Sequence, residues 1–307
     1  MNPVDFSIIV PSYNQGRYIK ATIDSILSQE GASLEVIVFD GGSNDETIEA
    51  LHTFDADKRV TWVSEPDLGQ THAINKGLRR AQGSILAYLN SDDVYLPDAL
   101  KTVRQAFENR PDAMFIYGDA YHISETGDII DPYPTEPWDY SRLQQTCFLC
   151  QPAVFWRREA LSTVGYFDDT LHYAMDYEYW LRAGSKVTFH YIEGCFLAGS
   201  RLHPETKTLS QRVPVHRECL EVLLRHGAPE ESCIRWLGHL AHHEASAQLS
   251  STNPLAPILP IDLAFVQSML RNACNLGILP DAATLRDLLE IMENHTHRLD
   301  PCESPST

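Results

Sequence analysis

Asp92 and Asp93 stand side by side directly after a short apolar run, Ile85–Leu89. Adjacent carboxylates repel each other unless a cation or hydrogen bonds offset the charge. Hard divalent cations prefer such oxygen ligands, so the pair is a candidate metal site. The plain alternative is a turn in which Ser91 or Asp92 caps the helix beyond Pro97. A third carboxylate, Asp40, ends a second apolar run in FDGGSNDET. There too a turn is the alternative, with Gly41-Gly42 supplying unusual backbone angles and Asn44 or Asp45 capping a helix from Thr47. Neither GxGxxG nor GxxxxGK[ST] occurs, so no dinucleotide fingerprint or P-loop is present.

The elements that must position these groups can be read from periodicity. Phe6–Val10, Glu35–Asp40, Arg59–Ser64, Ile85–Leu89 and Met114–Tyr117 are short apolar runs that predict strands. Between them, Tyr18–Gln29, a helix from Thr47, Gln70–Ala81 and Pro97–Phe107 carry helical spacing, with Pro97 suited to a first turn. Buried strands alternating with helices predict an α/β fold whose mostly parallel sheet is flanked by helices. Ligands of such sheets sit at the carboxyl ends of the strands. Four polar segments fall there: Ser12-Tyr13-Asn14, Asp40-Gly41-Gly42, Glu65-Pro66-Asp67 and Asn90-Ser91-Asp92-Asp93.

Beyond residue 120, Pro132, Pro134 and Pro137 mark a loop. A strand at Ala153–Trp156, a short helix at Tyr173–Arg182 and a strand at Val187–Ile192 follow. From about Pro214 the pattern is helical: His216–His226, Glu230–Gln248, Ile261–Asn275 and Ala282–Asn294, with Pro254, Pro257 and Pro260 breaking the middle. The expected organisation is a domain over 1–213, an α-helical C-terminal appendage over 214–299, and a tail over 300–307.

With 24 Lys+Arg against 42 Asp+Glu, the net charge of −18 argues against nucleic-acid binding. Hydrophobic residues at 43% and charged residues at 21% are ordinary for a globular chain. Seven cysteines do not form a disulfide framework in a chain this long. No secretory signal and no transmembrane run is read, so the expectation is a cytoplasmic protein. Peripheral contact with the inner face of a membrane stays open but is not indicated, because basic residues of the C-terminal helices are mixed with acidic ones.

Taken in order, SIIVPSYNQGRYIKATIDSILSQ, EVIVFDGGSNDETIEAL, EPDLGQTHAINKGLRRAQGSILAYLNSDD and AMDYEYWLR resemble the family 2 glycosyltransferases, over about Phe6 to Lys207. The resemblance implies the nucleotide-sugar-binding GT-A fold and an inverting transfer in one displacement. The donor it implies is a nucleotide sugar, most often a UDP-sugar. The implied acceptor is a saccharide or lipid-linked glycan of surface polysaccharide synthesis. It implies base and ribose contacts at Pro11, Tyr13, Asp40 and Asp67, with Asp40 accepting the base imide N–H. Asn90-Ser91-Asp92-Asp93 matches the DxD-type element that holds Mg2+ or Mn2+ on the diphosphate and touches ribose or donor sugar. Here Asn90 replaces a common Asp, so Asp92 and Asp93 jointly are the expected metal ligands. The general base of the family follows a Glu that is Met175 here, which leaves Asp176 as the candidate base, with Glu178 weaker. Trp180, one turn on, would wall the sugar pocket. Arg201-Leu202-His203 resembles a late element over the diphosphate, with His203 as a further metal ligand and Arg201 or Lys207 neutralising phosphate. Gln151-Pro152 resembles a segment on the acceptor side.

The chemistry fits. Charge builds on the leaving diphosphate oxygen, where a metal acts as Lewis acid, while a carboxylate takes the proton of the attacking hydroxyl. Two rivals remain. A nucleotide-sugar-binding protein without turnover is favoured by Asn90 and Met175 but opposed by Asp40, Asp92, Asp93 and Asp176. A nucleotidyltransferase would want a more basic loop after the first strand than Ser12–Arg17. Cys147 and Cys150 lack a second ligand pair for zinc and read as buried thiols. His239 and His243, one helical turn apart, have the spacing to share a metal, but the order H-x-x-H-H favours a solvated or interhelical face. The apolar stripes Cys219, Leu220, Leu223, Leu224 and Leu285, Leu288, Leu289, Met292 read as packing surfaces.

Overall fold

The computed structural model describes residues 4–250, 261–278 and 280–299. It divides into two compact units, Met1–Thr206 and Lys207–Thr307.

In the first unit β1 (Phe6–Ser12) is buried at every position. A run of consecutive apolar residues does this when both faces of a parallel strand are covered. Burying Ile8, Ile9 or Val10 completely stabilises the fold by about 1.5–3 kcal/mol each. α1 (Ile19–Leu27) turns Ile19, Ile23 and Ile26 inward, the stripe expected of an amphipathic helix. β2 (Leu34–Asp40), α2 (Thr47–His52), β3 (Val60–Ser64), α3 (Gln70–Arg80) and β4 (Ile85–Tyr88) complete a half in which β3, β2, β1 and β4 lie side by side and parallel. The register sets Ser12 opposite Asp40 and Asp40 opposite Ser64, so the strand ends form one edge.

Beyond β4 the sheet becomes mixed. β5 (Val94–Tyr95), α4 (Ala99–Asn109), β6 (Phe115–Ile123), β7 (Ile129–Pro132), α5 (Tyr140–Leu143), β8 (Val154–Arg157), α6 (Ala160–Thr163), α7 (Met175–Gly184) and β9 (Phe189–Arg201) follow. The sheet order is β3-β2-β1-β4-β8-β6-β9-β5, with β7 on β6. β8 joins β4 and β6 antiparallel, whereas β9 runs parallel to β6 and antiparallel to β5. Pro132, read as loop, closes the exposed strand β7, an edge position where a missing N–H costs little. Pro97 precedes α4 instead of opening it, because Asp98 takes a left-handed conformation at the helix start.

α3 returns to β4 through Gln82-Gly83. Ser7 Oγ accepts the Gly83 N–H at 2.7 Å and the Gln82 N–H at 3.0 Å. A Cβ on Gly83 would lie 2.5 Å from Phe6 C and closer still to Ser7 N, backbone atoms of a buried strand. Gly83→Ala is therefore expected to lower stability by about 1–3 kcal/mol, read as a lower urea midpoint at unchanged slope. An unchanged midpoint would show that β1 gives way at no cost.

The second unit comprises α8 (Lys207–Ser210), α9 (Arg212–Arg225), α10 (Glu230–Ser250), α11 (Ile261–Leu276) and α12 (Ala282–Leu299). The break expected at residue 213 falls inside α9, and the units divide before α8. Cys219, Leu220, Leu223, Leu237, Leu240 and Met269 are buried between helices. Among them Glu244 is also buried, accepting from Arg271 at 2.6 Å and Asn272 at 2.8 Å as well as from Arg217 and Ser268. Burial alone would raise its pKa, but these donors outweigh it and hold the carboxyl below its ordinary value. Leu288 packs inward, while Leu285 and Leu289 stay exposed. The tail, Met292's side chain and the prolines at 254, 257 and 260 lie outside the described residues.

Candidate active site

The polar segments do meet along the carboxyl edge of β1, β2, β3 and β4. Two loops are pinned together first. Asn14, left-handed at φ 52°, accepts the Asn44 N–H on Oδ1 at 3.0 Å and donates its own N–H to Ser43 Oγ at 2.7 Å. Asp45 accepts the Gly16 N–H at 2.9 Å and the Thr47 N–H at 3.0 Å. Burial would raise the Asp45 pKa, but the Thr47 hydroxyl and these N–H donors hold it below the ordinary range. Pro11 is buried opposite Phe39, while Tyr13 is 59% exposed at the rim.

Asp40 is 1% exposed. Its Oδ2 accepts from Gly42 N–H at 3.0 Å, Ser43 N–H at 2.9 Å and Ser64 Oγ–H at 2.6 Å. Its Oδ1 accepts from Ser43 Oγ–H at 2.5 Å. Asp40 therefore organises the loop after β2, which is the turn reading. Asp67, from the loop after β3, accepts the Gly69 N–H at 2.7 Å. Both its oxygens lie 3.2 Å from where a Cβ on Gly41 would stand. Glycine at 41 thus lets Asp67 reach the end of β2.

The segment after β4 is divided by burial. Asp92 is half-buried, and its Oδ2 lies 2.9 Å from His203 Nε2. Asp93 is 4% exposed and turned inward. Its Oδ1 accepts the Arg201 N–H at 2.8 Å and its Oδ2 faces Asn90 Nδ2 at 3.3 Å. Burial first, and then the Asp92 charge, push the Asp93 carboxyl well above the usual carboxylate range. The amide at Asn90 relieves this, since a second anion there would add repulsion. Asn90 also accepts from Gln70 Nε2 at 2.7 Å and donates to Gln151 Oε1 at 3.2 Å, while Gln151 Nε2 donates to Tyr88 O at 2.7 Å.

Arg201 departs from the phosphate contact expected of it. Its guanidinium is buried and donates to Asp92 O at 2.7 Å, Ser124 O at 2.9 Å and Glu125 O at 2.8 Å. Tyr18 packs under it at 5.2 Å and against the His203 ring at 5.1 Å. Arg201 therefore fixes the Asp92 backbone, and Tyr18 fixes His203. Lys207 opens the second unit.

Asp176 sits in the first turn of α7 and accepts the Tyr177 N–H at 2.7 Å. Burial, followed by the Asp176 charge, raises the Cys147 thiol to about 12. Burial first, and then the Asp176 and Asp93 charges, raise the Tyr88 hydroxyl, while burial followed by Asp93, Cys147 and Asp176 raises the Cys150 thiol. The candidate base and the Asn90–Asp93 segment therefore lie toward one end of β4. Glu178 is drawn away by Arg182, which donates to both its oxygens at 2.8 Å. Trp180 is fully buried in an aromatic cluster with Phe115, Trp156, Phe167 and Phe189. It anchors α7 from below and does not wall a pocket. Sequence reasoning missed Gln70 and Tyr18, whose types and spacing carry no signal until β4 and β9 place them beside Asn90 and His203. Cys147 and Cys150 are free thiols.

The family whose description is "Glycosyl transferase family 2" matches residues 7–165. An uncharacterized glycosyltransferase of Methanocaldococcus jannaschii is 27% identical over 184 residues, 57% of this chain and 63% of that protein. The chain thus spans less than two thirds of that relative's length. Among solved structures, S. aureus TarS 1-349 in complex with UDP-GlcNAc superposes with a TM-score of 0.61 at 18% identity, over 86% of this chain and 81% of that one. The mannosyltransferase PcManGT from Pyrobaculum calidifontis, in complex with GDP-Man and Mn2+, does so with 0.58 at 17% identity, over 99% and 89%. At these identities the two likenesses show a shared GT-A fold.

Proposed function

Because the chain belongs to glycosyl transferase family 2, we propose that it moves a sugar from a UDP-sugar donor to a hydroxyl of a saccharide or lipid-linked glycan, inverting the anomeric centre in a single displacement. The observation that carries this reading is the family match together with the pairing of Asp92 and His203 beyond the end of β4, on the sheet edge where the loops after β1, β2 and β3 also lie.

A divalent ion fits the residues present. Asp92 and His203 offer one carboxylate and one imidazole side by side. Among the described residues no three such side chains form a cage. A pair of protein ligands that leaves the other positions to substrate phosphates and water is the usual arrangement for Mg2+ and suits Mn2+. Asp92 and His203 would hold the ion, while Asp93 aligns the turn through Arg201. Bound there, the ion would neutralise charge developing on the leaving diphosphate. Asp40 and Asp67, braced across Gly41, would face the base and ribose, with Pro11 beneath and Tyr13 at the rim. Asn90 would meet the donor through an amide where many members of the family carry a carboxylate. Asp176 would accept the proton of the acceptor hydroxyl. Among the described residues no helix is long and apolar enough to cross a membrane.

Calorimetry of the full chain against UDP and GDP, with Mn2+ and then with EDTA, tests the donor site. UDP is expected to bind with Mn2+ and to weaken at least about tenfold with EDTA, a change of about 1.4 kcal/mol. Tighter GDP binding would overturn the UDP assignment. No binding of either nucleotide by folded protein would leave a fold without a donor site.

A further inference from the structure

The inward face of α3 carries two polar residues, Thr71 and Asn75, one turn apart and both buried. A buried hydroxyl or amide costs stability unless it is hydrogen-bonded, so apolar residues would serve better if packing were all. Both find their partners on one irregular segment. Thr71 Oγ1–H donates to Leu171 O at 2.9 Å. Asn75 Nδ2–H donates to Phe167 O at 2.9 Å and to Asp169 Oδ1 at 2.6 Å, while its Oδ1 accepts the Phe167 N–H at 3.1 Å. Asn75 thus pairs with both backbone groups of Phe167, as a residue of a neighbouring strand would.

This segment leads directly into α7, where Asp176 stands in the first turn, shortly after Leu171. α7 grips its other end: Tyr179 Oη–H donates to Gly165 O at 3.2 Å, and Arg182 donates to Tyr166 O at 2.9 Å. Residues 167–171 belong to no strand or helix, so side-chain bonds set their place. α3 itself is seated on β1, since a Cβ on Gly77 would lie 2.5 Å from Ile9 Cγ2. Gln70, the residue before Thr71, donates to Asn90 Oδ1 at 2.7 Å. The start of one helix therefore holds the segment after β4 with one residue and the approach to Asp176 with the next.

We propose that the start of α3 is the common anchor of the donor segment and the base: Gln70 is a positioning residue for Asn90, and Thr71 and Asn75 are positioning residues for Asp176. The proposal rests on Asp176 being the base. Donor and base stand on separate loops, and a misplacement of about 1 Å between reacting groups costs roughly 10²-fold in rate. Referring both loops to one helix fixes their separation.

Hydrogen exchange of the full chain, read by mass spectrometry, tests the anchoring without any ligand. Thr71→Val keeps the shape and removes the hydroxyl, and is expected to speed exchange about tenfold over residues 167–178 while residues 85–95 stay as in the parent. Gln70→Leu should do the reverse, and Thr71→Ser, which keeps the hydroxyl, should restore the parent pattern. Asp169→Ala removes one Asn75 contact from an exposed position, so it reports on residues 167–178 even if Thr71→Val misfolds. On the same preparations Thr71→Val should lower kcat for transfer about tenfold or more with Mn2+-dependent UDP affinity unchanged, whereas Gln70→Leu should act mainly on that affinity. Faster exchange throughout the first unit, or parent exchange over 167–178 in both Thr71→Val and Asp169→Ala, would overturn the anchor. Asp176→Asn separates this proposal from the reading beneath it. If Asp176→Asn loses turnover while Thr71→Val exchanges faster and keeps it, the positioning role falls and the base stands. If Asp176→Asn keeps turnover, Asp176 is not the base and the proposal falls with it.

Discussion

Replacing Asp176 by Asn is expected to lower the rate of sugar transfer by about 10²–10⁴-fold and to leave nucleotide affinity as it was. The substitution keeps the shape and one oxygen of the side chain, so the bond from the Tyr177 N–H at 2.7 Å can persist. α7 itself is held elsewhere, by the aromatic cluster around Trp180 and by Arg182 on Glu178. What is lost is a group able to accept a proton. The loss is expected to fall on kcat, because proton acceptance belongs to the transition state and not to donor binding. UDP titration and the transfer rate of the same preparation separate the two. Turnover within a few-fold of the parent would remove Asp176 from the mechanism and move the search for a base to another residue of the cleft.

Asp92→Asn is the second large effect. It is expected to weaken Mn2+-dependent UDP binding by roughly 10²-fold, since a directly ligating group should cost no less than the 10–100-fold typical of groups that merely support a ligand. His203→Gln should move affinity in the same direction, because His203 Nε2 lies 2.9 Å from Asp92 Oδ2. Asp93→Asn should move it less. Its oxygens face the Arg201 N–H and Asn90 inside the protein, and the neutral amide suits a place where burial already disfavours the anion. The comparison is made by calorimetry at saturating Mn2+. Equal losses at 92 and 93 would assign the ion to both carboxylates jointly. An unchanged UDP affinity in Asp92→Asn would remove the ion from this segment.

Much of the first unit was legible in the sequence. β1, β2 and β4 are buried on both faces, and that condition writes itself as an unbroken apolar run. The carboxylates follow those runs because the strand ends are where a parallel sheet opens to solvent. The longer helices of both units were legible for the same local reason, their apolar faces repeating every three to four residues, whereas the four-residue helices α5, α6 and α8 are too short to show such a repeat. β7 and β5 were not: both are short, β7 is an exposed edge strand closed by Pro132, and β5 is defined by β9, distant in the chain.

The roles within the site were decided by tertiary structure. Asp92 and Asp93 are neighbours of one type, yet the end of β9 supplies Arg201 to hold one inward and the loop after it supplies His203 to face the other. Trp180 reads as a wall of the sugar pocket until Phe115, Trp156 and Phe189 close around it. His239 and His243 read as a solvated or an interhelical face, and it is α9 that decides between them by bringing His216 to 4.4 Å from His243. Local sequence determines where a strand ends and which residue types stand there. The direction each side chain takes depends on hydrogen-bond and packing partners contributed by distant elements, and only the folded chain brings those partners into place.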